Sequence, residues 1–193
     1  MLLLNYMMRR KTDSKHYCVN VTSVTIVREK IFLEPGEYEM SEAGQARRIE
    51  DVIEDCLSGA VAGTASERII EWVDTDAAGH QHNSVIMRFV EAAESKLFRE
   101  LELPEYFPIA PRVRQEVDYK AKLFFGQHVT TVLRIDRLGE KSLSFSFKVF
   151  GHEHEGRPIV EAASGKFVTA CVPLGALSSA SWPDNVRRAI MGG

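Results

Sequence analysis

The sequence predicts an α+β fold in which a curved antiparallel sheet wraps around one long central helix, with an extra helix near the N-terminus. Three observations carry this. The stretch from Ser84 to about Leu101 is apolar over most of its circumference, which a helix sustains only when it is enclosed. The second half of the chain alternates apolar and polar residues, the period of strands with one buried and one solvated face. Between Ser41 and Gly59 the apolar residues recur instead at helical spacing.

In residues 1–39, "HYCVNVTSVTIV" has the β-branched content of a strand and "LEPGEYEM" reads as a turn and connector. The same composition suits a loosely attached arm. Met40 offers a second reading of the start, with the preceding residues as an upstream extension. Further on, Ile49, Val52, Ile53, Cys56 and Leu57 follow the i, i+3, i+4, i+7, i+8 pattern, with Arg47, Arg48, Glu50, Asp51, Glu54 and Asp55 at the other positions. This amphipathic helix stops at Gly59, and its stripe covers one face of a sheet.

A strand follows, and then the long helix, with Val85, Ile86, Met87, Phe89, Val90, Ala92, Ala93, Leu97, Phe98 and Leu101 as its apolar residues. Its length of ~27 Å is comparable with a strand of about nine residues at ~30 Å. In "RVRQEVDYKAKL", Val113, Gln115, Val117, Tyr119 and Ala121 share one side, and the charged residues, Lys120 and Lys122 among them, share the other. "GQHVTTVLRIDRLG" and "KSLSFSFKVF" form a hairpin through "LGE", the second strand burying Leu143, Phe145, Phe147 and Val149. "RPIVEAASGKFVTACV" is the last strand, with Gly165 expected at a bulge or bend. "SWPDNVRRAIMGG" closes the chain as a short helix capped by Ser181. Two parts are expected, an extension with the amphipathic helix over 1–60 and a sheet-and-helix domain over 61–193.

The totals exclude several classes of function. A net charge of −3 over 193 residues lacks the basic surplus of a general nucleic-acid binder. Three cysteines, Cys18, Cys56 and Cys171, leave one over after any pairing and fit no metal spacing, as expected of free thiols in a reducing compartment. The basic cluster of "MLLLNYMMRRKTDSK" follows its apolar residues, the reverse of a secretory signal. No run approaches the ~18 apolar residues of a membrane span. A soluble, cytoplasmic protein is expected, so the "NVT" at Asn20 carries no weight as a glycosylation acceptor.

Ionisable and polar groups crowd the start of the long helix in "DTDAAGHQHNSVIMRFVEAAE": Asp74, Asp76, His80, His82 and Asn83. That turn resembles the hotdog-fold acyl-CoA thioesterases of the 4-hydroxybenzoyl-CoA thioesterase type. Their pattern is an Asp-x-Asp-x-x-Gly turn after the first strand, then an enclosed helix with an acidic residue about two turns in. Asp74, Asp76, Gly79 and Glu91 stand at matching positions. "GHQHN" is similar to the Gly-His-Val-Asn-Asn turn of the fatty-acyl branch, with Gln81 in place of Val and His82 in place of the first Asn. "LGEKSLSFSFKVF" and "GRPIVEAASGKFVTACVP" look like the family's later strands. The resemblance covers about residues 66–173 and implies a hotdog fold, an acyl-CoA or aroyl-CoA substrate, no cofactor, and a homodimer or homotetramer with sites at subunit interfaces.

It also implies roles. Asp76 is the catalytic carboxylate, a general base on water or a nucleophile. A thioester suits so small an apparatus, because its leaving thiol has a pKa of ~8.5 and needs little protonation. No Gly-x-Ser-x-Gly elbow is present. Backbone amides near Asn83 and Ser84, unpartnered at the helix start, are aimed at the thioester oxygen. Gly79 permits close approach of the backbone, and His80 orients substrate or water. Glu91 steadies Asp76 or positions water, while Lys120 and Lys122 meet the coenzyme phosphates. The blander readings are turn capping for Asp74 and Asp76, helix capping for Asn83, a structural His80, an interface role for Glu91 and a solvated face for the lysines.

The pair His152 and His154 in "GHEHEG" shares a strand face and borders a turn. No spacing ties it to His80 and His82, so no metal is expected. Two rivals to hydrolysis of acyl-CoA use the same fold: a non-catalytic acyl-thioester binding protein, disfavoured by Asp76, and a thioesterase acting on acyl carrier protein. A dehydratase would need a different catalytic pair. Neither nucleic acid nor membrane is an expected partner.

Overall fold

The computed structural model describes the strand backbones Cys18–Val27 and Lys30–Tyr38 and all of residues 48–192. In chain order the elements are β1 (Cys18–Val27), β2 (Lys30–Tyr38), α1 (Ile49–Leu57), β3 (Ala62–Ile69) and α2 (Asn83–Glu100). They are followed by β4 (Arg112–Tyr119), β5 (His128–Leu138), β6 (Ser142–Gly151), β7 (Val160–Ala170) and α3 (Asp184–Met191). All strands form one antiparallel sheet in the order β2-β1-β3-β5-β6-β7-β4. The five strands β3 to β7 and α2 make the hotdog arrangement. Among the described residues, no helix is long and apolar enough to cross a membrane.

The N-terminal region departs from expectation. "LEPGEYEM" does not turn at Pro-Gly but continues as β2 through Tyr38, paired with β1. The prolyl nitrogen donates no bond, and a register shift between Val21 and Ser23 opposite Pro35 and Glu34 accommodates it at the sheet's edge. Val24–Val27 then pair with Ala62–Ala65, so this hairpin extends the sheet. Met40 and the reading of it as a start lie outside the described residues.

The sheet carries helices on both faces. Ile49, Ile53 and Leu57 of α1 pack on Ala65, Val132 and Phe150. Arg134 fastens that helix's end, its Nη1 donating to the carbonyls of Cys56 (2.8 Å) and Ser58 (2.9 Å), which otherwise have no intrahelical partner. On the other face α2 buries Val85, Ile86, Phe89, Val90, Ala93, Leu97 and Phe98 against Leu133, Ile135, Phe145 and Phe147. Enclosure is one-sided, however: Ser84, Arg88 and Glu91 are exposed.

Strand β4 differs too. Its alternation was expected to bury one side, yet it is the sheet's edge and Val113 stays 60% exposed, with a register shift between Arg112 and Arg114. The strand ends at Tyr119, so Lys120 and Lys122 stand beyond it rather than along its charged side. At the C-terminus α3 is preceded by Pro183 with no side-chain cap, and the hydroxyl of Ser181 donates to Glu140 Oε1 at 2.9 Å.

Gly165 is not at a bulge; it keeps register with Val117 and Phe147, and the irregularity falls between Val149 and Phe150. Its reason is contact. A Cβ there would lie 2.2 Å from the Glu116 carbonyl oxygen and 2.5 Å from Phe147 Cζ. Gly165→Ala is therefore expected to lower stability by about 1–3 kcal/mol, the usual range for overpacking, measured as a shift in the urea midpoint. An unshifted midpoint would refute this account of the glycine.

Candidate active site

The approach to α2 is a pair of tight turns held by their own polar groups. Ile70 anchors the first, its N–H donating to Gln127 O (2.9 Å) and its carbonyl accepting from Gly126 N (2.8 Å). Trp72–Asp74 form a single 3₁₀ turn with reciprocal bonds between Glu71 and Asp74. Asp74 is buried; its carboxylate accepts from Glu71 N at 2.9 Å and pairs with Arg88 of α2, and its carbonyl accepts from His82 N at 2.8 Å. Asp74 is thus the fastening between turn and helix.

Asp76 has the opposite environment. It is exposed, and its Oδ1 accepts from Ala78 N at 2.8 Å while its carbonyl accepts from Gly79 N at 3.0 Å. This is an Asx-type turn, completed by Gly79 at φ +77°. Asp76 Oδ2 accepts no bond among the described residues, so one carboxylate oxygen faces outward. His80 is half-buried, its Nδ1–H donating to Gln81 O at 3.1 Å, which leaves Nε2 as an acceptor.

Gln81, which stands where the related turn carries Val, is buried and clamps the turn to the segment after β4. Its N–H donates to Leu123 O (2.9 Å), and its side chain accepts from Leu123 N (2.6 Å) and donates to Ala121 O (3.4 Å). Gln81→Ala strands the buried Leu123 amide, so a loss of about 1–3 kcal/mol is expected. A thermal melt checks this; a variant as stable as the parent would contradict it.

The helix cap is His82, not Asn83. Its Nδ1 accepts from Ser84 N at 3.2 Å and from the Ser84 hydroxyl at 2.8 Å, and its carbonyl accepts from Val85 N at 3.0 Å. Ser84 N–H is therefore committed to the cap, and of the first three helical amides only that of Asn83 is unpaired among the described residues. The Asn83 carbonyl accepts from the Tyr119 hydroxyl at 3.1 Å. The end of β4 is thereby pinned to the start of α2.

The other candidates lie apart. Glu91 is 62% exposed in its side chain, with Oε1 3.9 Å from Arg112 Nη1, and among the described residues it makes no bond to Asp76. Lys120 pairs with Glu161, whereas Lys122 is exposed with no ion pair among the described residues. His152 is buried 2.7 Å from the Thr130 hydroxyl; burial, with His128 nearby, lowers its pKa to about 4, so it is a neutral core residue. His154 sits at the β6–β7 turn. Among the described residues no group of three or more His, Cys, Asp or Glu is placed to hold a metal.

Beside Glu91 lies a polar cluster that the apolar pattern of α2 concealed. Glu94 is buried, 2.6 Å from Arg112 Nη2, and accepts from the Tyr106 hydroxyl at 2.9 Å; Tyr106 in turn meets Thr169 Oγ1 at 3.1 Å. Burial pushes the Glu94 carboxyl up despite the opposing Arg112 charge, and burial with the Glu94 charge pushes the Tyr106 phenol up. Arg112 also covers the Phe167 ring at 4.1 Å. Glu94, Tyr106, Arg112 and Thr169 line a cleft of about 280 Å³ with Glu91, Phe107 and Ala110. A charged residue four after Val90 and three before Leu97, on the apolar stripe, was the available signal.

Comparisons with known proteins agree with this fold. The profile of the thioesterase-like superfamily matches residues 70–190. A solved structure of a predicted thioesterase from Bacillus stearothermophilus is 25% identical with TM-score 0.57, covering 66% of this chain and 93% of that one. The 1,4-dihydroxy-2-naphthoyl-CoA thioesterase of Synechocystis shares the fold at 18% identity and TM-score 0.57, covering 65% and 93%. A mutant 4-hydroxybenzoyl-CoA thioesterase complexed with 4-hydroxybenzoyl-CoA does so at 16% identity and TM-score 0.57, covering 65% and 96%. No curated protein sequence matches. With a family profile spanning most of the chain and a hotdog fold carrying an acidic turn before its central helix, this protein belongs to the thioesterase-like superfamily and is a thioester hydrolase.

Proposed function

We propose that the protein hydrolyses an acyl- or aroyl-coenzyme A thioester to the free acid and coenzyme A. The observation that carries this is that the approach to α2 offers both an outward carboxylate oxygen, Asp76 Oδ2 on the turn, and an amide unpaired among the described residues, Asn83 N–H at the helix start. The amide and the positive end of the helix stabilise the oxyanion as the carbonyl is attacked. Asp76 either takes a proton from water as water adds to the carbonyl carbon, or adds to that carbon itself and is released by water. In both routes the C–S bond breaks and the thiolate leaves. His80 Nε2 orients water or substrate beside them, and Gly79 admits the backbone to close range.

The acyl group follows the seam between α2 and β4. Tyr119 meets Asn83 at one end of that seam and Arg112 meets Glu94 at the other. Glu91 stands on it, eight residues or about 12 Å along the helix from Asn83, and contacts the acyl side or its water. The cleft at Glu94 is small for a ligand pocket, which favours a compact or aromatic acyl group. Solved relatives act on hydroxylated aroyl-CoA esters, including 4-hydroxybenzoyl-CoA. The β4 edge, unpaired among the described residues and with Val113 and Tyr119 exposed, supports pairing with a second copy in a homodimer or larger even assembly. Free thiols at Cys56 and Cys171 suit the cytoplasm.

The test is thiol release from benzoyl-, 4-hydroxybenzoyl-, hexanoyl- and palmitoyl-CoA, with the acid identified by mass spectrometry. Turnover of the compact esters is expected. Binding of these esters with no thiol released would make the protein a carrier of thioesters. Turnover confined to esters of acyl carrier protein would move it to the other rival reading.

A further inference from the structure

Two aromatic rings stand in water beside the Asp76 turn. Trp72 is 77% exposed and Phe125 57%, and they meet edge to face with centroids 6.0 Å apart at 83°. Single exposed apolar residues are ordinary; two of the largest, in contact and adjoining a reactive turn, mark a binding surface. Trp72 lies four residues before Asp76, and its carbonyl accepts from Thr75 N at 3.1 Å. Phe125 belongs to the segment that Gln81 holds against the turn through Ala121 and Leu123. Lys122 falls between those two clamped residues. The next aromatic, Phe124, is covered by the Arg157 guanidinium at 4.2 Å, itself bonded to Glu155 at 3.0 Å. The corner therefore combines an open indole face, an ammonium with no ion pair among the described residues and a partly neutralised guanidinium.

We propose that Trp72 and Phe125, with Lys122 and Arg157, seat the nucleotide end of coenzyme A, the adenine against the aromatic corner and the phosphates at the two cations. This seat rests on the thioester-hydrolase reading, and it makes the coenzyme A ester, rather than a carrier-protein ester, the substrate. The occupant follows from continuity. Whatever carries the thiol leaves from the Asp76 turn, and the clamped segment leads from that turn past Lys122 to the rings. A planar base suits them because stacking needs no particular hydrogen-bond pattern.

The test is isothermal titration of the parent, Trp72→Ala and Lys122→Ala with free coenzyme A and with pantetheine, which lacks the nucleotide. Trp72→Ala is expected to weaken coenzyme A about tenfold, within the range of a lost base–aromatic stack, and Lys122→Ala less. Pantetheine binding, melting temperature and sedimentation are expected to stay unchanged. The seat is overturned if the parent binds no coenzyme A, if Trp72→Ala leaves its affinity alone, or if both ligands weaken equally. A changed sedimentation coefficient also overturns it and assigns the corner to a contact between copies. Thiol release on the same proteins separates the two readings. Hydrolysis of acyl-CoA with an affinity indifferent to Trp72 sinks the seat alone. Coenzyme A binding through Trp72 without thiol release from any ester sinks the hydrolase alone.

Discussion

Arg112→Ala is expected to cost about 3–5 kcal/mol at neutral pH, the range for removing one partner of a buried ion pair. Glu94 is buried on α2, and its compensating groups are the Arg112 guanidinium at 2.6 Å and the Tyr106 hydroxyl at 2.9 Å. Truncating the arginine leaves a carboxylate with a single neutral donor. The packing of Arg112 over Phe167 goes too.

The sign of the pH dependence follows. The Glu94 pKa is already raised by burial in the folded protein, and losing Arg112 raises it further. A raised acid contributes stability that is fully present below the unfolded pKa of about 4.3 and is lost as pH rises through the folded pKa. The deficit of Arg112→Ala against the parent is therefore largest at neutral pH and shrinks as pH falls toward 4. Urea midpoints at both pH values check this. The double variant Arg112→Met/Glu94→Leu, which removes both charges, is expected to recover most of the loss. A deficit independent of pH would mean that Glu94 is not the group left uncompensated.

Asp76→Asn is expected to lower kcat about 100-fold or more, the scale of a general acid–base contribution, with melting temperature and KM near the parent's. The turn survives because the asparagine carbonyl still accepts from Ala78 N, as Asp76 Oδ1 does at 2.8 Å. What is lost is the charge on the outward oxygen. Asp74→Asn is the informative contrast. That side chain is buried and paired with Arg88, so its loss falls first on stability. Two aspartates two residues apart are thus expected to fail in different ways. A kcat loss without a stability loss at Asp74, or the reverse at Asp76, would exchange their roles.

The helices and the inner strands were legible because period alone encodes them. Leu143, Phe145, Phe147 and Val149 alternate in sequence and are all buried. The stripe of α1 is equally plain, and Ile49, Ile53 and Leu57 lie beneath it. The exposure of β4 was not legible, because an edge strand alternates as a half-buried one does. Asp74 and Asp76 are alike as turn formers. What separates them is Arg88, fourteen residues further along the chain. The Gln81 clamp depends on Ala121 and Leu123, some forty residues away, and no local pattern announces such a pairing. Glu94 is the fairer miss, since an acid on an apolar stripe costs too much to stay unpaired.

Single-turnover thiol release, with enzyme in excess over the best ester, sets the parent against Asp76→Asn most directly. With all ester bound, the rate reports chemistry free of affinity and product release. If Asp76 performs the chemistry, release is rapid and complete with the parent and at least about 100-fold slower with the variant, at equal ester binding. Equal rates from the two proteins would contradict this and remove Asp76 from the reaction.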